Sequence, residues 1–138
     1  MSDIAMILQR IGATLSNEVA PKLEGDYSGG HASMSGILAG MAGEMWDKEA
    51  DLLVEEINRL RGLLAAGKVD DTVEKVSSYR ISDLKRTRNE LAEKLIELQT
   101  RLEGQDDADS AHLNTQIWAH LLTTSMARMP SPPQFSEG

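Results

Sequence analysis

The sequence predicts an all-α protein, a long antiparallel helical hairpin with two shorter helices, packed like a four-helix bundle. Two ladders of apolar and small residues, each with alternating steps of three and four residues, carry this prediction. That spacing places each ladder on one stripe of an α-helix. The first ladder runs from Ala32 to Leu64 and the second from Ile81 to Leu102, and Gly67 marks the predicted bend between them.

The first predicted helix begins after Ser2, whose hydroxyl is suited to cap a helix N-terminus. Its apolar stripe runs from Ile4 to Val19. Pro21 ends or kinks this helix because proline lacks an amide hydrogen and clashes with the preceding turn. The glycine-rich segment 25–30 that follows predicts a loop.

The second predicted helix runs from Ala32 or Ser33 to Ala66. Gly67 is predicted to take the left-handed conformation that ends many helices. Up to Leu53 this helix is apolar on two sides, and a helix with that pattern is covered on two sides.

The third predicted helix opens with a capping box, Asp71-Thr72-Val73-Glu74, in which side chains satisfy the first free backbone amides. The phase of its apolar residues slips at residues 77–79, where we expect a bend, a bulge or a short break. The regular stretch ends at Glu103 and Gly104.

The fourth predicted helix has Ser110 as its N-cap, follows an acidic loop, and ends near Arg128. The proline-rich stretch beyond it cannot continue a helix and is predicted to be extended. We therefore predict a single helical-bundle domain over residues 1–129 and an extended tail over residues 130–138.

Folding the predicted hairpin at its bend gives a register for the two long helices. It places Leu53 near Leu84 and Trp46 near Leu91. Small residues of one helix then face large residues of the other, which lets the helices approach closely.

A charged residue, Arg88, interrupts the second ladder. The predicted register places it opposite Ala50, within reach of Glu49 or Asp47. We predict a seam ion pair between Arg88 and Glu49 that helps specify the pairing of the helices. The alternative is a buried guanidinium that binds a carboxylate ligand.

Composition excludes several classes of function. The chain has a formal net charge of −8 and no cysteine, so disulfides, thiolate zinc sites and cysteine nucleophiles are absent. An acidic surface repels phosphate backbones and anionic lipids, so we expect neither nucleic acid nor a membrane as partner. The N-terminus lacks the layout of a signal peptide, and we expect a cytoplasmic protein.

The three histidines do not form a recognisable metal pattern. A di-metal bundle needs a Glu-x-x-His motif on two helices, and the nearest match is a single acid-x-x-His motif ending at His112. His112 and His120 are two turns apart, roughly 12 Å, which is too far to share a metal directly. Phosphate loops, dinucleotide fingerprints and nucleophile elbows are also missing. The sequence therefore predicts no metal, no cofactor and no catalytic residue, and an enzyme using His112, His120 or Arg88 is the weakest hypothesis.

A patch rich in glycine and methionine is the most unusual candidate for a binding surface. Glycine costs roughly 1 kcal/mol relative to alanine inside a helix, so its repetition here requires a reason. Methionine adapts to irregular apolar partners. Three explanations stay open: close packing against another helix, a face for self-association, and a slot for an apolar ligand. The candidate residues are Met34, Gly36, Gly40, Met41, Met45, Trp46 and Trp118.

Several segments together resemble a poorly characterised family of small helical bacterial proteins. They are Glu18-Val19-Ala20-Pro21-Lys22-Leu23-Glu24-Gly25, His31, residues 34–64, Asn89-Glu90-Leu91 and Leu95-Ile96-Glu97-Leu98-Gln99. Members of that family are found beside genes for aminoglycoside-phosphotransferase-like kinases and acyl-CoA dehydrogenases. The resemblance implies an accessory or partner-binding role and brings no catalytic residues with it.

Taken together, these patterns predict a non-catalytic helical protein that acts by self-association, as a homo-oligomer, or as an accessory subunit for a protein partner. The alternative is a protein that binds a small apolar, acyl-like ligand with the glycine- and methionine-rich half of the second helix.

Overall fold

The computed structural model describes residues 2–133, and within them the protein is all-helical, with no strand. The four α-helices are α1 (Asp3–Thr14), α2 (Tyr27–Ala66), α3 (Ile81–Glu103) and α4 (Ala108–Ala127). The predicted all-α class is confirmed, and the helix contacts are consistent with bundle-like packing.

The chain divides into two compact units that share the long helix α2. The first unit contains the described residues up to Lys48 and those from Met129 onward, and the second contains Glu49–Arg128. Helix α2 contributes its residues 27–48 to the first unit and its residues 49–66 to the second.

Helix α1 begins as the sequence predicts. The Ser2 hydroxyl accepts a hydrogen bond from the amide of Ala5 at 3.2 Å. The chain stays helical beyond α1, first as a π-helical turn (Leu15–Val19) and then as a 3₁₀ turn (Ala20–Leu23) that contains Pro21. The proline therefore ends the helical stretch within a few residues rather than kinking a longer α-helix.

Helix α2 begins at Tyr27, earlier than predicted, so Gly29 and Gly30 of the expected loop are helical, whereas Gly25 lies in a turn with φ of 86°. The Asp26 carboxylate accepts a hydrogen bond from the amide of Ser28 at 2.9 Å, which satisfies one of the free donors of the first turn. A Cβ placed on Gly29 would lie 2.7 Å from the carbonyl oxygen of Leu23. Glycine is needed here for close contact with the preceding turn, and in the sequence a glycine with this role cannot be told from a loop glycine.

The end of α2 places the left-handed residue one position later than predicted. Lys68, with φ of 55°, takes this conformation instead of Gly67. The amide of Val69 donates to the carbonyl of Leu64, and that of Lys68 donates to the carbonyl of Ala65, which is the Schellman pattern. Gly67 has a different reason to be glycine, because a Cβ there would lie 2.5 Å from the Leu98 side chain.

Residues 68–80 are not helical, and the predicted capping box does not start a helix. Asp71 instead forms an ion pair with Arg61 of α2. The same guanidinium donates to the carbonyl oxygens of Val73 and Glu74 at 3.4 and 3.0 Å. These bonds satisfy backbone groups outside a helix, so the segment lies against α2 as an extended connection. The predicted break at residues 77–79 is the end of this connection.

The direction of α3 relative to α2 is opposite to the predicted hairpin. Lys85 pairs with Glu49 at 3.7 Å, near the start of the second unit's portion of α2. Further along both helices, Arg101 donates to the carbonyl oxygen of Gly67 at 2.5 Å. Contacts that advance together along two helices define a parallel pair. The extended connection makes this arrangement possible because it returns the chain along α2 before α3 begins.

Helix α4 packs against α3, and the two are antiparallel. The amide of Gln99 on α3 donates to the side chain of Asn114 on α4 at 3.2 Å. The N-cap is Asp107 rather than Ser110, since its carboxylate accepts from the Ser110 amide at 2.8 Å.

Apolar side chains from all four segments of the second unit form one core. Leucine dominates it, and its buried members are Leu53, Ile57, Leu60, Leu64, Val73, Leu84, Leu91, Leu95, Leu98, Leu102, Leu113 and Ile117.

Candidate functional site

The first unit is built on a close contact between the backbones of α1 and α2. A Cβ placed on Gly43 would lie 2.9 Å from the carbonyl oxygen of Ala5. At the other end of the contact, a Cβ on Gly36 would lie 2.6 Å from the carbonyl oxygen of Gly12. The two helices are therefore antiparallel and nearly touch along their main chains.

Small residues are the only ones that this contact buries. Within the described part of the first unit, the buried residues are one alanine and three glycines: Ala5, Gly12, Gly36 and Gly43. Close packing against α1 therefore explains why residue 36 is a glycine. Gly40 differs, because a Cβ there would meet nothing within 4 Å.

Large apolar side chains of the same unit remain exposed. Ile4, Ile7 and Ile11 form one stripe on α1 and are 46%, 57% and 46% exposed. On α2, Trp46 is 48% exposed, although the sequence places it in the hairpin seam. We define the first-unit apolar surface as seven of the exposed residues, Ile4, Ile7, Ile11, Met34, Leu38, Met45 and Trp46; Met6, Tyr27 and Met129 of the same unit are also exposed.

Helix geometry shows how this surface is arranged. Counting 100° per residue from the glycine contact places the isoleucine stripe and Trp46 on the same side of the helix pair. Met34 and Met45 then lie on the side of α2 that is turned away from α1. The apolar surface therefore starts on α1, crosses α2 at Trp46 and continues around the back of α2.

A small groove lies on the opposite side of the helix pair. Gly40 and Met41 line it, and its volume is about 300 Å³. Ser131 closes one end, because its amide and hydroxyl both donate to the Glu44 carboxylate, at 3.1 and 2.9 Å. Lys48, which pairs with Glu44 at 2.7 Å, and the two bonds from Ser131 hold the pKa of this carboxyl below its usual value.

The predicted patch is thus separated into parts with different surroundings. Gly36 is buried in the helix contact, Gly40 and Met41 border the groove, and Met34, Met45 and Trp46 belong to the apolar surface. Trp118 lies on α4 in the second unit and is 58% exposed.

The predicted ion pair between Arg88 and Glu49 is replaced by two others. Arg88 pairs with Glu56 at 3.4 Å, and Glu49 pairs with Lys85. Glu56 also accepts from Arg128 at 2.5 Å, so one buried carboxylate joins α2, α3 and the end of α4. The parallel direction of α3 accounts for the change, because it brings Arg88 to the level of Glu56.

His120 is buried beside this cluster and has no hydrogen-bond partner for Nδ1 among the described residues. Burial lowers its pKa, and the positive charges of Arg59 and Arg128 act in the same direction against the opposing effect of Glu56. His112, by contrast, lies on the exposed side of α4 next to Gln116.

Residues 2–133 contain neither a cluster of metal-ligating side chains nor a helix that could span a membrane. No group of three or more histidine, aspartate or glutamate side chains is placed to share a metal ion. No helix combines the length and apolarity needed to cross a bilayer.

The sequence predicts the isoleucine stripe as an apolar side of the first helix, but neither the stripe nor Glu56 is among the predicted site residues. A readable signal existed for the first. The side of α1 that contacts α2 carries Ala5 and Gly12, with Leu8 and Gln9 beside them, so the isoleucines point elsewhere.

Comparison of the chain with profiles of protein families, with curated sequences and with solved structures gives no match.

Proposed function

We propose that this protein acts by self-association, with two copies joined through the first-unit apolar surface, and that it performs no chemistry of its own. One observation carries the proposal. The described part of the first unit buries only alanine and glycine, while the seven side chains of the first-unit apolar surface remain 39–57% exposed.

Burial energies explain why this unit requires a partner. Burying a large aliphatic side chain stabilises a protein by roughly 1.5–3 kcal/mol, and glycine contributes almost nothing of this kind. Two helices joined by a glycine contact therefore gain little hydrophobic stabilisation. A second copy that covers the isoleucine stripe supplies the missing burial.

The exposed area has the size of a protein interface. Seven side chains that are each about half exposed offer on the order of 700 Å², and a standard interface buries about 800 Å² on each partner. Monomeric proteins rarely expose apolar patches of this size without using them.

Charge favours a second copy as the occupant. Two chains of net charge −8 repel each other unless they meet through uncharged surfaces. The apolar surface meets this requirement, and a two-fold arrangement lets the same patch serve both copies. An accessory role for an enzyme, as the family resemblance implies, would then be performed by the assembled protein.

The alternative function, binding of a small acyl-like ligand, is supported by the groove beside Gly40 and Met41. Its volume of about 300 Å³ is at the lower limit of small-molecule pockets. The Glu44 carboxylate at its edge disfavours an anionic acyl group, so we rank this function second.

Light scattering coupled to size exclusion, over a range of protein concentrations, tests the proposal. We expect the wild-type protein to be larger than one chain and the variant Ile7→Glu/Ile11→Glu to have half the wild-type mass. Asn17→Glu, which adds charge at an exposed position off the stripe, serves as the control and keeps the wild-type mass. A wild-type protein of single-chain mass at every concentration would contradict the proposal.

A further inference from the structure

Helix α4 carries an exposed surface without charge. No Asp, Glu, Lys or Arg occurs between Ser110 and Ala127, although such residues make up 26% of the chain. The exposed side of a surface helix normally carries charged residues. This side of α4 is therefore unlike a surface that remains in water.

The same surface is also apolar. Leu113 and Ile117 point into the core of the second unit, and the side of α4 opposite them carries Trp118, Leu122 and Met126. These three side chains are 58%, 62% and 61% exposed. Helix α4 thus has two apolar sides, of which the core of the second unit covers one.

We infer that this side of α4 pairs with α4 of a second copy, in antiparallel orientation. The argument is the self-complementarity of its sequence about a two-fold axis between Trp118 and Ala119, near the middle of the helix. Antiparallel pairing about that axis places small residues of one copy opposite large residues of the other. The facing pairs are Ala111 with Met126, Thr115 with Leu122, and Ala119 with Trp118.

Charge and area support a second copy as the occupant. An uncharged face lets two acidic chains meet without direct repulsion. The exposed parts of Trp118, Leu121, Leu122 and Met126 amount to about 500 Å² per copy, which reaches the lower limit of about 1,000 Å² in total for a specific interface. This interface is distinct from the first-unit apolar surface, and a protein that uses both assembles beyond a dimer.

Cysteine crosslinking tests the pairing directly, because the wild-type chain has no cysteine. Antiparallel pairing brings residue 115 of one copy to residue 122 of the other. We expect the variant Thr115→Cys/Leu122→Cys to form disulfide-linked dimers under mild oxidation and Thr115→Cys alone to remain uncrosslinked. Crosslinking of the single variant would indicate parallel pairing and would overturn the inference.

Native mass spectrometry supplies a second readout that does not depend on disulfide geometry. We expect Trp118→Glu/Leu122→Glu to halve the mass of the assembly and Gln116→Glu, an isosteric change beside the seam, to leave it unchanged. An unchanged mass for the Trp118 variant would overturn the inference, as would a partner helix of another protein in place of the second copy.

The two interfaces can fail separately. Insensitivity of the mass to Ile7→Glu/Ile11→Glu, combined with crosslinking at residues 115 and 122, would refute the first-unit interface and retain the α4 pair. The reverse pattern would retain the proposed function and refute the α4 pair.

Discussion

The two units of this protein use opposite kinds of helix packing. The second unit has a core of twelve buried apolar residues, most of them leucine, that all its segments share. The first unit has a contact of glycine and alanine, with its large apolar residues outside. Leucine packing stabilises the chain because it buries large apolar side chains. Glycine packing lets two helices approach closely, but it buries little apolar area, so the large side chains stay exposed.

This difference assigns separate tasks to the units. The second unit has the composition of a self-sufficient core, tied together by the buried Glu56 carboxylate and its two arginines. The first unit presents apolar side chains on two helices whose backbones are in close contact. A surface held in this way loses little conformational freedom when a partner covers it.

The largest expected effect comes from replacing one large aliphatic side chain in each unit with alanine. Leu84→Ala empties part of the core, and we expect it to lower the free energy of unfolding by about 2–5 kcal/mol. Ile7→Ala removes an exposed side chain, and we expect a change within about 0.5 kcal/mol in dilute solution. Urea denaturation at low protein concentration measures both. Equal losses would show that Ile7 belongs to an internal core and would remove the contrast between the units.

A second comparison lies within the glycines of the first unit. Gly36→Ala forces a methyl group against the backbone of α1, and we expect a loss of about 1–3 kcal/mol. Gly40→Ala adds the same group where nothing lies within 4 Å, and we expect a gain of about 0.5–1 kcal/mol because alanine favours the helix. Thermal denaturation of the two variants side by side measures the difference. A loss of stability in both would mean that the glycine contact extends across Gly40.

The sequence predicts where the helices of this protein lie along the chain better than it predicts which helices pack together and in which direction. Periodic apolar residues identify α3 and the long α2 because burial of one stripe requires that period. Helix direction does not follow from a stripe. The pairing of Leu53 with Leu84 suits an antiparallel hairpin and a parallel pair equally well, so the connection between the helices decides.

That connection was difficult to predict because its chemistry imitates a helix start. Asp71 followed three residues later by Glu74 fits a capping box. The Asp71 carboxylate serves equally well as a partner for Arg61. An ion pair between residues that are far apart in the chain cannot be predicted from the residues around either partner. The same limit applies to Glu56, which looks like an outward residue of α2 and is buried by two arginines that lie far along the chain.

The candidate site shows a related limit. Periodicity predicts that Ile4, Ile7 and Ile11 face something apolar, and it cannot distinguish a core from a second copy. The sequence predicts the glycine and methionine patch as one feature, yet its residues lie in three different places: the helix contact, the groove and the apolar surface. Glycine marks a close approach between helices, and the direction from which the other helix comes becomes known only in the folded chain.

The smallest expected effect concerns acid, to which the two units respond differently. Burial lowers the pKa of His120 below its ordinary value of 6.5, with Glu56, Arg59 and Arg128 as the charges that face it. Between the folded pKa and 6.5, the unfolded chain binds more protons than the folded chain, so this residue makes stability rise with pH. Above 6.5 both states are neutral and the contribution is constant, and below 6.5 stability falls as the pH falls. The glycine contact of the first unit contains no such group.

Equilibrium unfolding from pH 7.5 down to pH 5, followed by amide hydrogen exchange, measures this difference. We expect the protection factors of α4 amides, which correct for the intrinsic exchange rate at each pH, to fall with acid before those at the α1 contact do. His120→Gln removes the titrating group and should flatten the dependence for α4, whereas His112→Gln, on the exposed side of the same helix, should keep it. A slope that survives His120→Gln would show that His120 is not the group that makes α4 sensitive to acid.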